Sequence, residues 1–76
     1  MGNDVAQSIE QVLSPLVGQV LARAAIDLEA RRIGKDSDTI TYGDVAELSG
    51  HLSKQLAPFV GADIAQAAAR QVRNLS

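Results

Sequence analysis

His51 is the one histidine of the chain and the first residue to consider as a general base. It stands beside the apolar positions of a predicted helix, which favours a boundary or interface role, with pH sensing as the alternative. No Ser/His/Asp spacing and no glycine-rich phosphate loop accompanies it. Asp36 and Asp38 have the spacing that opens a calcium loop, but Ile40 stands at the fifth position and the central glycine is missing. The sequence therefore predicts a protein that is not an enzyme.

Metal and cofactor chemistry is equally sparse. The absence of cysteine excludes disulfides and thiolate metal sites. One histidine is too few for a structural zinc site within one chain. We therefore expect no metal and no cofactor.

The basic residues have simple structural interpretations. Arg31, Arg32 and Lys35 lie where a helix is predicted to end, and cations there complement the negative pole of the helix dipole. Binding of an acidic partner or a phosphate is the alternative. Arg23, Asp27 and Arg31 are spaced four apart, which predicts a solvated salt-bridge ladder on one helix face. The candidate polar contacts are His51, Arg31, Arg32 and Lys35.

Composition indicates one small domain with a thin core. The chain has 76 residues, of which 46% are hydrophobic and 3% aromatic. Alanine supplies much of the apolar content, and burying a methyl group stabilises far less than burying a leucine or phenylalanine. Small scaffolds with thin cores need disulfides, a metal or a partner subunit. A second copy of the chain is the simplest partner, so we expect a homo-oligomer, most simply a dimer, with another protein as the alternative partner.

Charge and hydropathy limit the other partners. The net charge of −2 argues against a non-specific nucleic-acid binder, which usually has a basic excess. No apolar run approaches the roughly 20 residues of a membrane span, and the first residues lack the order of a signal peptide. We therefore expect a cytoplasmic protein without membrane contact.

The periodicity of the apolar residues predicts an all-α fold with four helices. Asn3 or Asp4 suits the N-cap of the first helix. Proline fits the first turn of a helix, because its missing N–H is unbonded there anyway. Pro15, with Ser14 before it, therefore predicts the start of the second helix; one long helix kinked at Pro15 is the alternative. The predicted helices cover about residues 4–13, 15–33, 42–56 and 62–75.

Other residues mark helix ends and helix faces. Gly34 predicts the end of the second helix, and Thr41 followed by Asp44 predicts a capping box at the start of the third. Gly50 within the third helix costs stability relative to alanine and indicates a close backbone contact. The inward-facing residues expected on the second and fourth helices are Gly18, Leu21, Ala22, Ala25 and Leu28, then Ile64, Ala65, Ala68, Val72 and Leu75.

The two halves of the chain resemble each other at a constant offset of 43 residues. Residues 13–25 align with 56–68, and both segments contain Leu-x-Pro-x-Val-Gly followed by alanines. This predicts a single domain, 1–76, built from two helix–turn–helix units at about 4–34 and 43–76 and joined by a polar linker at 35–41. Chance similarity between two amphipathic helix pairs is the alternative.

Glycine and alanine four apart form a flat strip in each half, and such strips let two helix backbones approach closely. We expect the two strips to pack against each other or against those of a second chain. The candidate interface residues are Val17, Gly18, Leu21, Ala22, Ala25, Phe59, Val60, Gly61, Ile64, Ala65 and Ala68.

Pro-Leu-Val-Gly-x-x-x-Ala and Pro-Phe-Val-Gly-x-x-x-Ala resemble the helix–hairpin–helix motif of DNA-binding proteins, which is often duplicated into a pseudo-symmetric domain. In that family a first glycine stands two residues before the second, where this chain has Leu16 and Phe59. The basic residues expected around the hairpin are replaced by Ala62 and Asp63. The resemblance implies phosphate contacts by the hairpin backbone.

A second, local resemblance covers about twenty residues. Thr39-Ile-Thr-x-x-Asp44-Val45, after a helix that ends in Arg-Arg, is similar to the last loop and helix of a histone fold. Taken together, the residues favour a non-catalytic interaction or oligomerisation module, either a homodimeric helical bundle or a regulatory or scaffolding domain. The alternatives are a nucleic-acid-binding domain and a small-ligand sensor with its pocket between subunits.

Overall fold

Four α-helices form the described part of the chain, residues 3–75, in a computed structural model. Helix α1 spans Asp4–Val17, α2 Gln19–Arg32, α3 Val45–Val60 and α4 Ala62–Arg73. A single 3-10 turn, Tyr42–Asp44, leads into α3, and no strand occurs between residues 3 and 75. The all-α prediction is confirmed.

Both prolines lie inside helices, so the predicted helix start at Pro15 is wrong, and so is a single long helix kinked there. Helix α1 continues through Pro15 to Val17, and α3 continues through Pro58 to Val60. A proline within a helix leaves the carbonyl four residues earlier without its hydrogen bond. Those carbonyls belong to Gln11 and Lys54, which are both exposed, so water can satisfy them.

The chain instead breaks at Gly18 and at Gly61. Gly18 has φ/ψ of 89/155° and Gly61 has 90/158°. This region of backbone space is open to glycine almost alone, because it has no Cβ. The N–H of Gly18 donates to Ser14 (2.9 Å) and its carbonyl accepts from Ala22 (3.0 Å). One residue thus ends α1 and begins α2 in a sharp corner.

Gly34 ends α2, as predicted. Its φ is +78°. Its N–H donates to the carbonyl of Arg31 (3.0 Å), and the N–H of Lys35 donates to that of Ala30 (2.8 Å). These two bonds make up a Schellman motif, which satisfies carbonyls at the end of the helix.

Asn3 joins the start of α1 to the loop at 33–41. Its Oδ1 accepts from the N–H of Ala6 (2.9 Å), which confirms Asn3 as the N-cap of α1. Its Nδ2 donates to the carbonyls of Ile40 (2.6 Å) and Asp38 (3.2 Å). Its own N–H donates to the carbonyl of Ser37 (3.0 Å). One side chain therefore caps a helix and holds the loop whose Ile40 is buried in the core.

The helices form a closed ring in which each packs on the next in chain order and α4 packs on α1. Helices α1 and α3 contribute most of the large buried side chains, including Leu13 and Leu56, whereas α2 and α4 contribute mostly alanines. Around the ring, helices that bury large side chains therefore alternate with helices that bury small ones. The inner stripe of α3 consists of four residues that are all buried: Val45, Leu48, Leu52 and Leu56.

The starts of α1 and α3 both lie at the loop. The Asn3–Ser37 bond places α1 there, and the hydroxyls of Ser8 and Tyr42 approach to 3.3 Å. Both helices run away from the loop, and α3, with 16 residues, is about 24 Å long at 1.5 Å per residue. The fold measures 29 × 20 × 20 Å. Gly18 and Gly61 therefore lie at the end opposite the loop.

Several predicted inward positions are wrong. Leu28 is 53% exposed and Ile64 is 43% exposed. A Cβ placed on Gly18, Gly50 or Gly61 would meet no atom within 4 Å. These three glycines therefore make no close backbone contact with residues 3–75, and the predicted packing of the two strips against each other does not occur there. Packing of the strips against a second chain stays a prediction.

Candidate interaction surface

Seven of the candidate interface residues lie around the two glycine corners. Phe59 is 70% exposed, Ile64 and both glycines are exposed, and the others are half-buried. We call this set the corner surface; it consists of Val17, Gly18, Leu21, Phe59, Val60, Gly61 and Ile64. Residues 12–22 and 57–62 carry no formal charge. The end of the fold opposite the loop is therefore largely apolar.

The other four candidates are placed differently. Ala22, Ala25, Ala65 and Ala68 are each fully buried. Their methyl groups lie in the core of the chain itself, which leaves the corner surface as the accessible part of the candidate set.

A second apolar surface was missed by the sequence reasoning. Val20 is 85% exposed, Leu28 is 53% exposed and Ala24 is exposed between them. These three residues are spaced four apart and form one row along the outer face of α2, which we call the α2 ridge. The signal was present in the sequence, because α2 has apolar residues on two sides and a helix that packs on one side needs only one such face.

A charged row lies beside the α2 ridge. It consists of Arg23, Asp27 and Arg31, spaced four apart on α2. The Nε of Arg23 donates to the Oε1 of Glu10 on α1 at 2.6 Å, so this arginine pairs across helices. The predicted salt-bridge ladder along α2 is wrong, because no ion pair joins Arg23, Asp27 and Arg31. The Asp27 side chain is exposed and makes no ion pair or hydrogen bond with any residue of 3–75.

The candidate polar contacts do not all remain available. Lys35 forms a 2.7 Å ion pair with Asp44, and the Nε of Arg32 lies 3.2 Å from Oε1 of Glu29. Arg31 is exposed at the end of α2, and His51 is half-buried on α3. Lys35 and Arg32 are therefore engaged in ion pairs within the chain, whereas Arg31 and His51 lie at separate positions on two different helices.

Asp44 joins the loop to the start of α3. Its Oδ2 accepts from Nζ of Lys35 (2.7 Å), from the N–H of Thr41 (2.9 Å) and from the Thr41 hydroxyl (3.1 Å). The bond from Lys35, followed by the bond from the Thr41 backbone, lowers the pKa of the Asp44 carboxyl below its ordinary 3.8. The reach-back bond predicted for the capping box is present.

Glu29 is a charged residue inside the helical ring. It is 4% exposed, and its Oε1 makes no hydrogen bond of good geometry. Val72, found 43 positions later, is fully buried. At equivalent positions of the 43-residue offset, α2 therefore buries the carboxylate of Glu29 where α4 buries the aliphatic side chain of Val72.

A cleft of about 330 Å³ lies between α1 and α2. It is lined by polar side chains such as Gln7, Gln11, Arg23 and Asp27. Among residues 3–75, no three histidine, aspartate or glutamate side chains come together in a way that could hold a metal ion. The exposed apolar surfaces are therefore the features of the molecule most in need of an explanation.

The chain matches no family model, no curated protein and no solved structure. In the described part, no helix combines the length and the apolar character that crossing a bilayer requires.

Proposed function

We propose that this chain is a protein-interaction module without catalytic activity, and that it assembles with a second copy of itself into a homodimeric helical bundle. One observation carries the proposal: Val20, Leu28, Phe59 and Ile64 are exposed, although the chain has few large apolar side chains to spare. Extended exposed apolar patches mark interaction sites in small proteins.

The composition of the core supports this proposal. Six of the sixteen buried apolar residues among 3–75 are alanine, and both aromatic residues, Tyr42 and Phe59, lie outside the core. Apolar burial stabilises by about 25 cal/mol per Å², so leaving the largest side chains in water forgoes stability that a 76-residue chain needs. A partner that covers them restores that contribution.

Charge favours a second copy over a charged partner. An isologous dimer brings each surface against itself, so a strongly charged surface repels its own copy. Six of the seven residues of the corner surface lie in two uncharged segments, 12–22 and 57–62, and Asp63 is the formal charge next to the seventh, Ile64. The matched conformations of Gly18 and Gly61 also suit our proposal that the chain is a structural repeat.

The solution mass across a dilution series tests the proposal. Light scattering over an at least tenfold range of concentration should find a dimer that persists at the higher concentrations. A monomer throughout that range would overturn the proposal. Steeply salt-dependent binding of duplex DNA by such a monomer would favour the helix–hairpin–helix alternative.

Two substitutions on α3 distinguish an effect on the surface from an effect on the core. They are Phe59→Ser and, for comparison, Leu56→Ala. Phe59 is 70% exposed and Leu56 is fully buried on the same helix. We expect Phe59→Ser to change the unfolding free energy by about 0.5 kcal/mol or less, as exposed substitutions do. Leu56→Ala should cost about 2–5 kcal/mol. Because Phe59→Ser keeps the fold, the solution mass of this variant shows whether the corner surface takes part in assembly.

A further inference from the structure

We infer that the dimer contact is the α2 ridge, packed antiparallel against the same ridge of a second copy. The inference rests on the proposed self-association and names the surface that forms it. It follows from three properties of α2: an unpartnered apolar row, a small residue at its centre, and a charged row that complements itself when the helix is reversed.

The apolar row has the shape that helix packing requires. Val20, Ala24 and Leu28 lie along one i±4 ridge, and such ridges from two helices interdigitate in the commonest class of helix packing. Ala24 at the centre presents only a methyl group, so the two backbones can approach closely there. In the antiparallel arrangement Val20 of one copy lies beside the partner's Leu28, and the two central alanines face each other.

The charged row fixes the direction of the pair. A twofold axis perpendicular to the helices keeps the row of Arg23 and Asp27 on the same side of the contact in both copies. In an antiparallel pair centred on Ala24, Asp27 lies about two residues, or about 3 Å along the axis, from the partner's Arg23, which is within reach of that long side chain. The reverse contact follows by symmetry. A parallel pair would place the two charged rows on opposite sides, where they cannot meet.

The groups that would form these contacts are available. The Asp27 carboxylate is exposed and makes no ion pair or hydrogen bond within residues 3–75. Arg23 uses its Nε for Glu10, while a guanidinium has five N–H donors and can hold a second carboxylate. The corner surface offers no comparable pairing, because Asp63 has no basic residue beside it in the sequence from 57 to 69.

Reversal of the charge at Asp27 or at Arg23 tests the proposed contact through its effect on dimer affinity. Asp27→Arg places two arginine pairs across the contact, and Arg23→Asp places two aspartate pairs there. Each variant alone should weaken the dimer by about tenfold or more, because like charges across an interface are strongly unfavourable. An equimolar mixture of the two should recover a heterodimer, since each Arg then meets an Asp. Helical content by circular dichroism checks that both variants fold.

Leu28→Ser and Phe59→Ser separate the two apolar surfaces. We expect Leu28→Ser to dissociate the dimer and Phe59→Ser to leave it intact, and Asp63→Arg serves as the charge-reversal control away from α2. A wild-type dimer that is insensitive to Asp27→Arg and Leu28→Ser would overturn the α2 contact while leaving self-association in place. A monomeric wild type would overturn both.

Discussion

Gly18 and Gly61 adopt the same backbone conformation, with φ/ψ of 89/155° and 90/158°. The hydrogen bonds around them also agree: each N–H donates to the carbonyl four residues earlier (2.9 Å), and each carbonyl accepts from the N–H four residues later (3.0 Å). Each corner consists of one residue, so the direction of the following helix depends on one pair of torsion angles.

Replacement of either corner glycine by alanine should destabilise the protein. No atom lies within 4 Å of a Cβ built at these positions, so the cost comes from the backbone conformation rather than from a clash. A residue other than glycine in this region costs about 1–3 kcal/mol. Urea denaturation of Gly18→Ala and Gly61→Ala, monitored by circular dichroism, should show losses of that order.

Gly50→Ala is the matched control, and its effect should have the opposite sign. Gly50 lies within α3, has no positive φ, and faces open space. Alanine is favoured over glycine in a helix interior by about 0.8–1.0 kcal/mol. If all three variants destabilised equally, the corner conformations would not be the cause.

Asn3 should contribute more stability than a helix cap alone. Asn3→Ala removes the cap, worth about 0.5–2 kcal/mol, together with the donors to Ile40 and Asp38. Asn3→Asp keeps an acceptor for the Ala6 N–H but loses those donors. We therefore expect both variants to unfold at lower urea concentration than wild type. Equal stability of Asn3→Asp and wild type would show that the loop contacts are not stabilising.

Removal of the buried charge at Glu29 should leave the protein as stable as before or stabilise it. Replacing a whole buried ion pair by well-packed apolar residues is often neutral or stabilising by about 1–4 kcal/mol. The partner that remains here, Arg32, is exposed, so the substitution leaves no unpaired charge in the core. Glu29→Met preserves the length of the side chain and removes an oxygen that lacks a good hydrogen bond. Thermal unfolding of Glu29→Met measures the effect. A large loss of stability would mean that the carboxylate makes an essential contact.

The Asp44 carboxyl should make stability depend on pH in the acid range. Its pKa is lowered from 3.8 in the folded chain, chiefly by Lys35 and then by the Thr41 N–H. The unfolded chain therefore binds the proton first, and the stabilisation is fully present above the unfolded pKa. It is lost as the pH falls through the lower folded pKa. Asp44→Asn should flatten this part of the stability profile, whereas an unchanged acid slope would contradict the assignment.

The local features that depend on short-range chemistry could be predicted. Asn3 as a cap, Gly34 as a helix end and the Thr41–Asp44 bond all involve residues close in sequence. The interpretation of Pro15 as a helix start is wrong, because proline is common in the first turn of a helix but is also tolerated where the freed carbonyl faces water. The exposure of that carbonyl cannot be recognised before the fold is known.

The α2 ridge was missed for a different reason. The buried row of α2 includes Glu29, which polarity alone excludes from a core. Polarity alone assigns the apolar Leu28, rather than Glu29, to the inner stripe. The predicted inner face of α2 is therefore displaced by one residue from the buried face. One residue corresponds to about 100° of rotation around a helix. A displacement of that size places Leu28 inside, so the exposed α2 ridge is not predicted.

The alternating direction of the helices has a consequence for any polypeptide joined to this module. Helix α1 begins beside the loop, where Asn3 binds Ser37, and α4 runs from the corner at Gly61 back towards that same end. An extension at either terminus, or a fluorescent label placed there, would therefore leave from the loop side. Neither would obstruct the corner surface, and a tethered module would present its apolar end outwards from the point of attachment.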